Sequence, residues 1–237
     1  MENSPLLRVY AEREKMKRLI VSCGMLAEEL RKACAGQNVL PEILEQPRGM
    51  HEYPKELNKR LSVLISEHQN VDEIVLTYGL CGYGTVGLIS ENTRLVLPRF
   101  DDCISQLLYR ETEGRTCRSK IQAGHLYLTG GWIKDKKSVL GQCREITETY
   151  GENAPQILDA IYGGYHTVDV IDTGAYNIEE TEKNAEKICR YLPVKKEKTA
   201  GSCDILKRII SGDYDDNFIV LNPGDAVTEQ MFRFNGR

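Results

Sequence analysis

Short apolar runs alternate along this chain with longer polar segments in which apolar residues recur at helical spacing. Such runs are typical of buried strands, whereas apolar positions about three and four residues apart predict a helix. Leu57, Leu61 and Ile65 show the helical spacing in one of the longer segments. The alternation of the two patterns predicts an α/β fold, with mostly parallel sheets and helices on both faces.

The two patterns place most elements along the chain, and residues 111–123 are left as a loop with some helix. The predicted strands are 18–24, 39–46, 73–79, 94–98, 125–129, 167–172, 194–199 and 218–222, of which the charged 194–199 is an edge strand. The predicted helices are 5–17, 25–33, 54–68, 102–110, 136–162 with a break near Gly151 and Pro155, 178–191 and 202–211.

Glycines stand at or beside the ends of many predicted strands, which suggests that one α/β unit is used repeatedly. We therefore expect two Rossmann-like halves, residues 1–140 with a cysteine-rich site and residues 141–237, with the boundary within 140–165. Ligands of open α/β sheets bind beyond the carboxyl ends of the strands, and glycine lets backbone approach them there. Ordinary turns use glycine as well, so both interpretations stay open. The strand-end glycines are Gly24, Gly79, Gly130, Gly174, Gly201 and Gly224.

Composition narrows the class of protein. The 237 residues are 41% hydrophobic and 28% charged, with a net charge of −4 and a pI near 5.7. This balance offers no basic surplus for nucleic acid, and no apolar run approaches the roughly 20 residues that span a bilayer. The polar N-terminus lacks the apolar core of a signal peptide, so we expect a cytoplasmic protein. In that compartment the eight cysteines are buried thiols, metal ligands or reactive thiols more often than disulfides.

Three cysteines, Cys23, Cys81 and Cys103, follow the predicted carboxyl ends of strands. Since these ends share one edge of a parallel sheet, the fold is expected to gather the three thiols. Thiolates are preferred ligands of zinc and of iron–sulfur clusters, and three of them with His51 or a water would complete a zinc site. The usual C-x₂-C spacing is absent, and buried cysteines without a metal are the alternative.

Three further residues in the same region are candidates for catalysis. His51 follows the second strand and could be a metal ligand or an acid–base group, or make an ordinary hydrogen bond. Arg99 could hold an anionic substrate group or pair with an aspartate. Asp102 is a natural N-cap of the helix that begins at Cys103. The helix terminus would lower the pKa of that thiol and the carboxylates would raise it, so the direction stays open.

The segment from Gly82 to Gly87 matches G-x-G-x-x-G, which is also found in dinucleotide-binding folds. The next strand begins at Arg94, which leaves no room for the crossover helix that such folds require. The pattern therefore favours a tight loop around Cys81, in which Gly82 and Gly84 approach a bound cofactor.

A second glycine-rich strand end, Gly130-Gly131-Trp132, is expected to contribute to the same kind of pocket. Both glycines would approach the cofactor, and Trp132, the only tryptophan, would line the pocket. Packing of Trp132 in the core is the alternative.

Motifs that cover most of residues 1–135 resemble an uncharacterised family classed as a domain of unknown function. The resembling pieces are the strand end at Cys23, the His51 loop, residues 78–82 with 86–88, Pro98-Arg99 followed by Asp102-Cys103, and residues 127–132. The resemblance implies a setting in methanogenic archaea and anaerobic bacteria, with genes beside corrinoid-dependent methyltransferase systems for methylated amines. It implies no catalytic residues, because the family lacks an assigned reaction.

Together these observations lead to a hypothesis with two alternatives. The chain would bind zinc or an iron–sulfur cluster in anaerobic one-carbon metabolism and catalyse or support methyl transfer, with a corrinoid protein or methyltransferase as partner. The first alternative is a non-catalytic protein that delivers a metal, cluster or corrinoid. The second is a metal-free α/β protein that binds a small molecule. The sequence leaves open whether the protein is an enzyme.

Overall fold

The computed structural model describes residues 16–37, 40–111, 121–135 and 137–233. Within these ranges it contains a mostly parallel five-stranded sheet and a parallel three-stranded sheet, both flanked by helices. The predicted fold class is therefore confirmed. None of the described helices has the length and apolar composition needed to cross a bilayer.

The strand order is β2-β1-β3-β4-β8 in the larger sheet and β5-β6-β7 in the smaller one, and only the β4–β8 pair is antiparallel. The strands are β1 (Arg18–Cys23), β2 (Glu42–Gln46), β3 (Glu73–Leu76), β4 (Arg94–Pro98), β5 (His125–Leu128), β6 (Thr167–Asp172), β7 (Lys195–Ala200) and β8 (Phe218–Leu221).

Apart from the short helix Gly130–Ile133, which the sequence pattern did not predict, the described helices lie close to the predicted ones. They are α1 (Ala27–Cys34), α2 (Pro54–Glu67), α3 (Cys103–Leu108), α4 (Gly130–Ile133), α5 (Val139–Tyr150), α6 (Ala154–Tyr162), α7 (Ile178–Ile188) and α8 (Asp204–Ser211), with 3₁₀ turns at Gly24–Leu26, Met50–Glu52, Gly151–Asn153 and Glu229–Phe232. The predicted break at Gly151 is confirmed, because this residue has a φ of 52° and ends α5. The predicted helix 5–17 lies, except for its last two residues, outside the described residues.

Burial explains which apolar runs became central strands. Every residue of β3 is buried, and so are Leu19, Ile20 and Val21 of its neighbour β1. A strand that is covered on both faces is expected to consist almost entirely of apolar residues, and β1 and β3 show this pattern. By contrast, the charged strand β7 is exposed or half-buried throughout and lies at the edge of its sheet, as predicted.

The chain forms two compact units that are discontinuous in sequence. The first contains the described residues within 1–24, 33–103 and 205–237, and the second those within 25–32 and 104–204. The sequence pattern predicts a single division of the chain, within 140–165. The difference arises because β8 pairs with β4, in the register Val96 to Val220, and so returns the C-terminal segment to the first unit. The core of the second unit includes Leu128, Val168 and Val170.

Candidate functional site

The carboxyl edge of the larger sheet carries the candidate site of the first unit. Strands β1, β3 and β4 are parallel neighbours, so their carboxyl ends lie side by side. Cys23 is the last residue of β1, Cys81 lies in the loop after β3, and Cys103 follows β4. The topology therefore places the three cysteines after neighbouring strand ends. Cys23 and Cys81 are buried, whereas Cys103 is half-buried.

The loop after β3 has an unusual backbone conformation. Cys81, Gly82 and Tyr83 follow one another with φ values of 46°, 63° and 69°. A left-handed conformation suits glycine, but it is uncommon for a non-glycine residue and a genuine outlier for a bulky one. Cys81 and Tyr83 therefore store conformational strain of about 1–3 kcal/mol each, which the surrounding contacts must offset.

Main-chain hydrogen bonds from the loop after β4 hold this conformation. The Leu80 N–H donates to the Phe100 carbonyl and the Cys81 N–H donates to the Asp101 carbonyl, each over 2.8 Å. Gly79 makes the approach of the two loops feasible, because a Cβ atom there would lie 2.2 Å from the Phe100 oxygen. The position of Cys81 is thus determined by two loops that lock together.

Helix α2 holds the other side of the same loop. The Asn58 side-chain amide donates to the carbonyl oxygens of Gly84, over 3.1 Å, and Val86, over 2.9 Å. A Cβ on Gly84 would lie 2.8 Å from Leu57, and one on Gly82 would lie 3.3 Å from Pro54. Both glycines are therefore needed for packing within the chain. Their predicted contact with a cofactor stays a prediction.

A cluster of two thiols and a phenol, which we call the thiol cluster, lies at this edge and consists of Cys23, Tyr78 and Cys81. Burial, and then the neighbouring thiols, raise the pKa of Tyr78 well above its ordinary value. Burial raises the pKa of Cys81 as well, with further contributions from Cys23 and Asp102. Both Tyr78 and Cys81 are therefore protonated at neutral pH, and Cys81 is a weak nucleophile in this arrangement.

The thiol cluster is a partial donor set for a soft metal. Within the described ranges, no group of three or more His, Cys, Asp or Glu side chains is arranged to hold a metal ion. The described side chains thus do not assemble three thiolates with His51, and metal binding stays a prediction.

The catalytic candidates also lie along this edge, at different strand ends. His51 belongs to the turn that follows β2, the outer neighbour of β1. Arg99 follows β4 and is tied to the β8 region, since its N–H donates to the Asn217 carbonyl over 2.7 Å and its guanidinium to the Phe218 carbonyl over 3.4 Å. Asp102 lies near enough to Cys81 to raise the pKa of its thiol. The catalytic roles of the three residues stay predictions.

An open groove of about 800 Å³ adjoins the strained loop. Helix α2 and the turn before it form one wall, and Gly82, Tyr83 and Val86 form the other. Tyr53 and Tyr83 contribute large aromatic surfaces, being 53% and 58% exposed. The sequence analysis did not select either tyrosine, because an aromatic residue in a polar segment gives no signal of its exposure until the chain is folded.

The Gly130-Gly131-Trp132 segment belongs to the second unit, at the carboxyl end of β5. There a Cβ on Gly131 would lie 2.0 Å from the Met25 oxygen, and one on Gly130 would lie 2.3 Å from the Glu28 carboxylate. The absence of a side chain at the two glycines therefore lets residues 25–32 pack directly against them. Contact of Gly130, Gly131 and Trp132 with a cofactor stays a prediction.

Glu29, which the sequence analysis missed, is an inaccessible carboxyl group of the second unit. One carboxyl oxygen accepts a hydrogen bond from the Thr173 hydroxyl over 3.2 Å, and the other has no hydrogen-bond partner among the described residues. Burial raises the pKa of Glu29 to about 7. The only signal in the sequence was two successive glutamates in a helix, which is more typical of a solvated face.

Comparisons with known proteins identify the family but no activity. The family described as "Protein of unknown function (DUF1638)" matches residues 46–210, so the chain belongs to it. No curated protein and no solved structure matches the chain.

Proposed function

We propose that this DUF1638 member binds a small molecule with an aromatic ring system at the carboxyl edge of its larger sheet. Tyr53 and Tyr83 would contact the rings in the groove, and the thiol cluster would lie at the strand ends beside them. This edge is the usual place for a ligand in an open α/β sheet.

The observation that carries the proposal is the left-handed run from Cys81 to Tyr83. Strained non-glycine residues cluster at ligand clamps and active sites, where their conformation is maintained by the surrounding structure. At Tyr83 the strain has no packing benefit, because the side chain is 58% exposed. A ring that stacks on Tyr83 would provide that benefit, since aromatic stacking contributes about 0.5–1.5 kcal/mol beyond the burial of area.

Replacing Tyr83 with asparagine should separate stability from binding. Asparagine tolerates the left-handed region, so we expect the first unit to gain about 1 kcal/mol of unfolding free energy. The same change removes the exposed ring, and we expect the protein to bind its ligand at least tenfold more weakly. Saturation-transfer NMR with adenosine, flavin mononucleotide and hydroxocobalamin as probes would measure the binding.

The matched control for this experiment is Tyr83→Phe, which keeps both the ring and the strained backbone. It should bind like the wild type and show unchanged stability. Binding of none of the three probes to the wild type, or equal binding by the asparagine variant, would count against the proposal.

A second candidate function is favoured by the proximity of the Cys23 and Cys81 thiols. The Asp102 carboxylate lies near Cys81 as well. In this version the protein binds zinc or an iron–sulfur cluster in the cytoplasm of an anaerobe. It would catalyse or support methyl transfer there, or deliver a metal or corrinoid to a partner methyltransferase. Since the described donor set is incomplete, metal binding would require a further ligand such as Cys103 to move into the cluster.

Metal analysis of protein purified without oxygen would test the second candidate. We expect about one zinc ion, or iron with visible absorbance near about 400 nm, and loss of the metal in Cys23→Ser and Cys81→Ser, because thiolates are the preferred ligands of both. Cys189→Ser, in the second unit, is the control and should retain the metal. Metal-free wild-type protein would exclude this candidate and leave the first proposal intact.

A further inference from the structure

Two arginines lie beside the thiol cluster. Arg48 is in the loop that follows β2, and a Cβ atom on Gly24 would lie 3.3 Å from its Cγ. Because Gly24 directly follows Cys23, Arg48 lies at the carboxyl end of β1. Arg60, on α2, is close enough to the Tyr78 phenol to favour its ionised form.

Arg48 is half-buried at this edge. Its Nε atom is shielded from solvent and has no hydrogen-bond partner among the described residues. Burial of a polar group without a partner lowers stability, and the loss is larger if the group is charged. Evolved structures offset such a cost in part by pairing the group with a ligand, and guanidinium is the side chain best suited to bind carboxylate or phosphate through two parallel hydrogen bonds.

A hydrogen bond positions the Arg60 guanidinium, but no carboxylate of the described residues pairs with it. Its Nε donates to the Gln46 side-chain oxygen over 2.5 Å, and Gln46 is a buried residue at the end of β2. In the part of the chain that the structure describes, neither Arg48 nor Arg60 forms an ion pair with a carboxylate. Within the described ranges the two guanidinium groups thus have no paired carboxylate, although Asp102 lies near Cys81 at the same edge.

The Tyr78 hydroxyl provides a second observation at this edge, near Arg60. Tyr78 is only 2% exposed, and its hydroxyl has no oxygen or nitrogen partner among the described residues. Its polar neighbours are the thiols of Cys23 and Cys81, and the phenol shares a hydrogen bond with Cys23. A phenol is a good donor to an anionic oxygen, so this buried hydroxyl suits the same ligand chemistry as the arginines.

We infer that Arg48, assisted by Arg60, binds an oxyanionic group of the ligand at the carboxyl ends of β1 and β2. This inference rests on the proposed function and names the substrate class, a ring-containing molecule that carries a carboxylate or a phosphate. The Tyr78 hydroxyl, beside the thiols, marks the inner end of the site. In this inference the residue that holds the anion is Arg48, whereas the Arg99 guanidinium donates to a carbonyl of β8 and its role stays a prediction.

Amide NMR titrations with inorganic phosphate and with acetate would test the inference and distinguish the two anions. We expect shifts at Gly24 and Arg48 with at least one of them. Arg48→Gln should weaken that binding at least tenfold, and Arg48→Lys less, because lysine keeps the charge but not the fork of donors. Lys59→Gln, which removes an exposed charge next to Arg60, should bind like the wild type.

The outcomes separate this inference from the proposed function. Unchanged affinity in Arg48→Gln, shifts confined to other parts of the chain, or no shift with either anion would overturn the inference. Tyr83→Asn should retain anion binding, since the tyrosine contacts the rings. Loss of probe binding in Tyr83→Asn with retained anion binding would therefore support the arginine site. Equal binding of flavin mononucleotide, which carries a phosphate, by Arg48→Gln and the wild type would refute the inference and leave the proposed function intact.

Discussion

Replacing Gly79 with alanine is expected to lower the unfolding free energy of the first unit by about 3 kcal/mol and to displace Cys81. The new Cβ atom would lie 2.2 Å from the Phe100 carbonyl oxygen, a distance that no real contact allows. Since the main chain fixes the position of the Cβ atom and the Phe100 oxygen belongs to the main chain, no side-chain rotation can relieve the contact. The loops after β3 and β4 must separate, which breaks the hydrogen bonds from Leu80 and Cys81.

Native-state hydrogen exchange at β3 and β4 would measure this loss, because it reports on the first unit alone. Gly87→Ala is the matched control. Gly87, unlike Gly79, has a positive φ, 82°, but a Cβ atom there would have no neighbour within 4 Å. This control should cost only about 1 kcal/mol, the conformational penalty of the left-handed region. Equal losses in the two variants would contradict the argument from the interlocked loops.

Replacing Glu29 with glutamine should stabilise the second unit by about 2–3 kcal/mol at pH 8 and change little at pH 4.5. Burial raises the pKa of Glu29 from 4.5 to about 7 in the folded chain. Between these values the folded state binds more protons than the unfolded state, so stability falls as pH rises. Above pH 7 the penalty of an ionised buried carboxylate is complete. Glutamine avoids that penalty while still offering an oxygen to the Thr173 hydroxyl.

Urea unfolding monitored by the fluorescence of Trp132, the only tryptophan and a residue of the second unit, would follow the effect from pH 4.5 to pH 8. The comparison variant is Glu28→Gln, which removes the neighbouring carboxylate that pairs with Lys134 over 2.6 Å. It should keep the fall in stability between pH 4.5 and 7, because Glu29 is still present. A glutamine variant of Glu29 with the pH dependence of the wild type would disprove the assignment.

Sequence periodicity predicted the strands and helices well, because their apolar residues had to be buried in this fold. The runs that became β1 and β3 are too apolar to lie elsewhere, and the placement of Cys23 and Cys81 after them followed from the parallel arrangement. The pattern could not predict that β8 pairs with β4, since an apolar strand does not encode its neighbour. For that reason the sequence pattern did not predict that the C-terminal segment belongs to the first unit.

By itself, the sequence determined the α/β class, the position of most elements, and the location of three cysteines after neighbouring strand ends. Only the tertiary structure decided the left-handed conformation at Tyr83, the burial of Glu29 and the shielding of the Arg48 Nε atom without a partner among the described residues. Each of these three residues is in a state that its type disfavours in isolation. Such a state exists only because contacts from distant segments outweigh the local preference, and local patterns contain no record of those contacts.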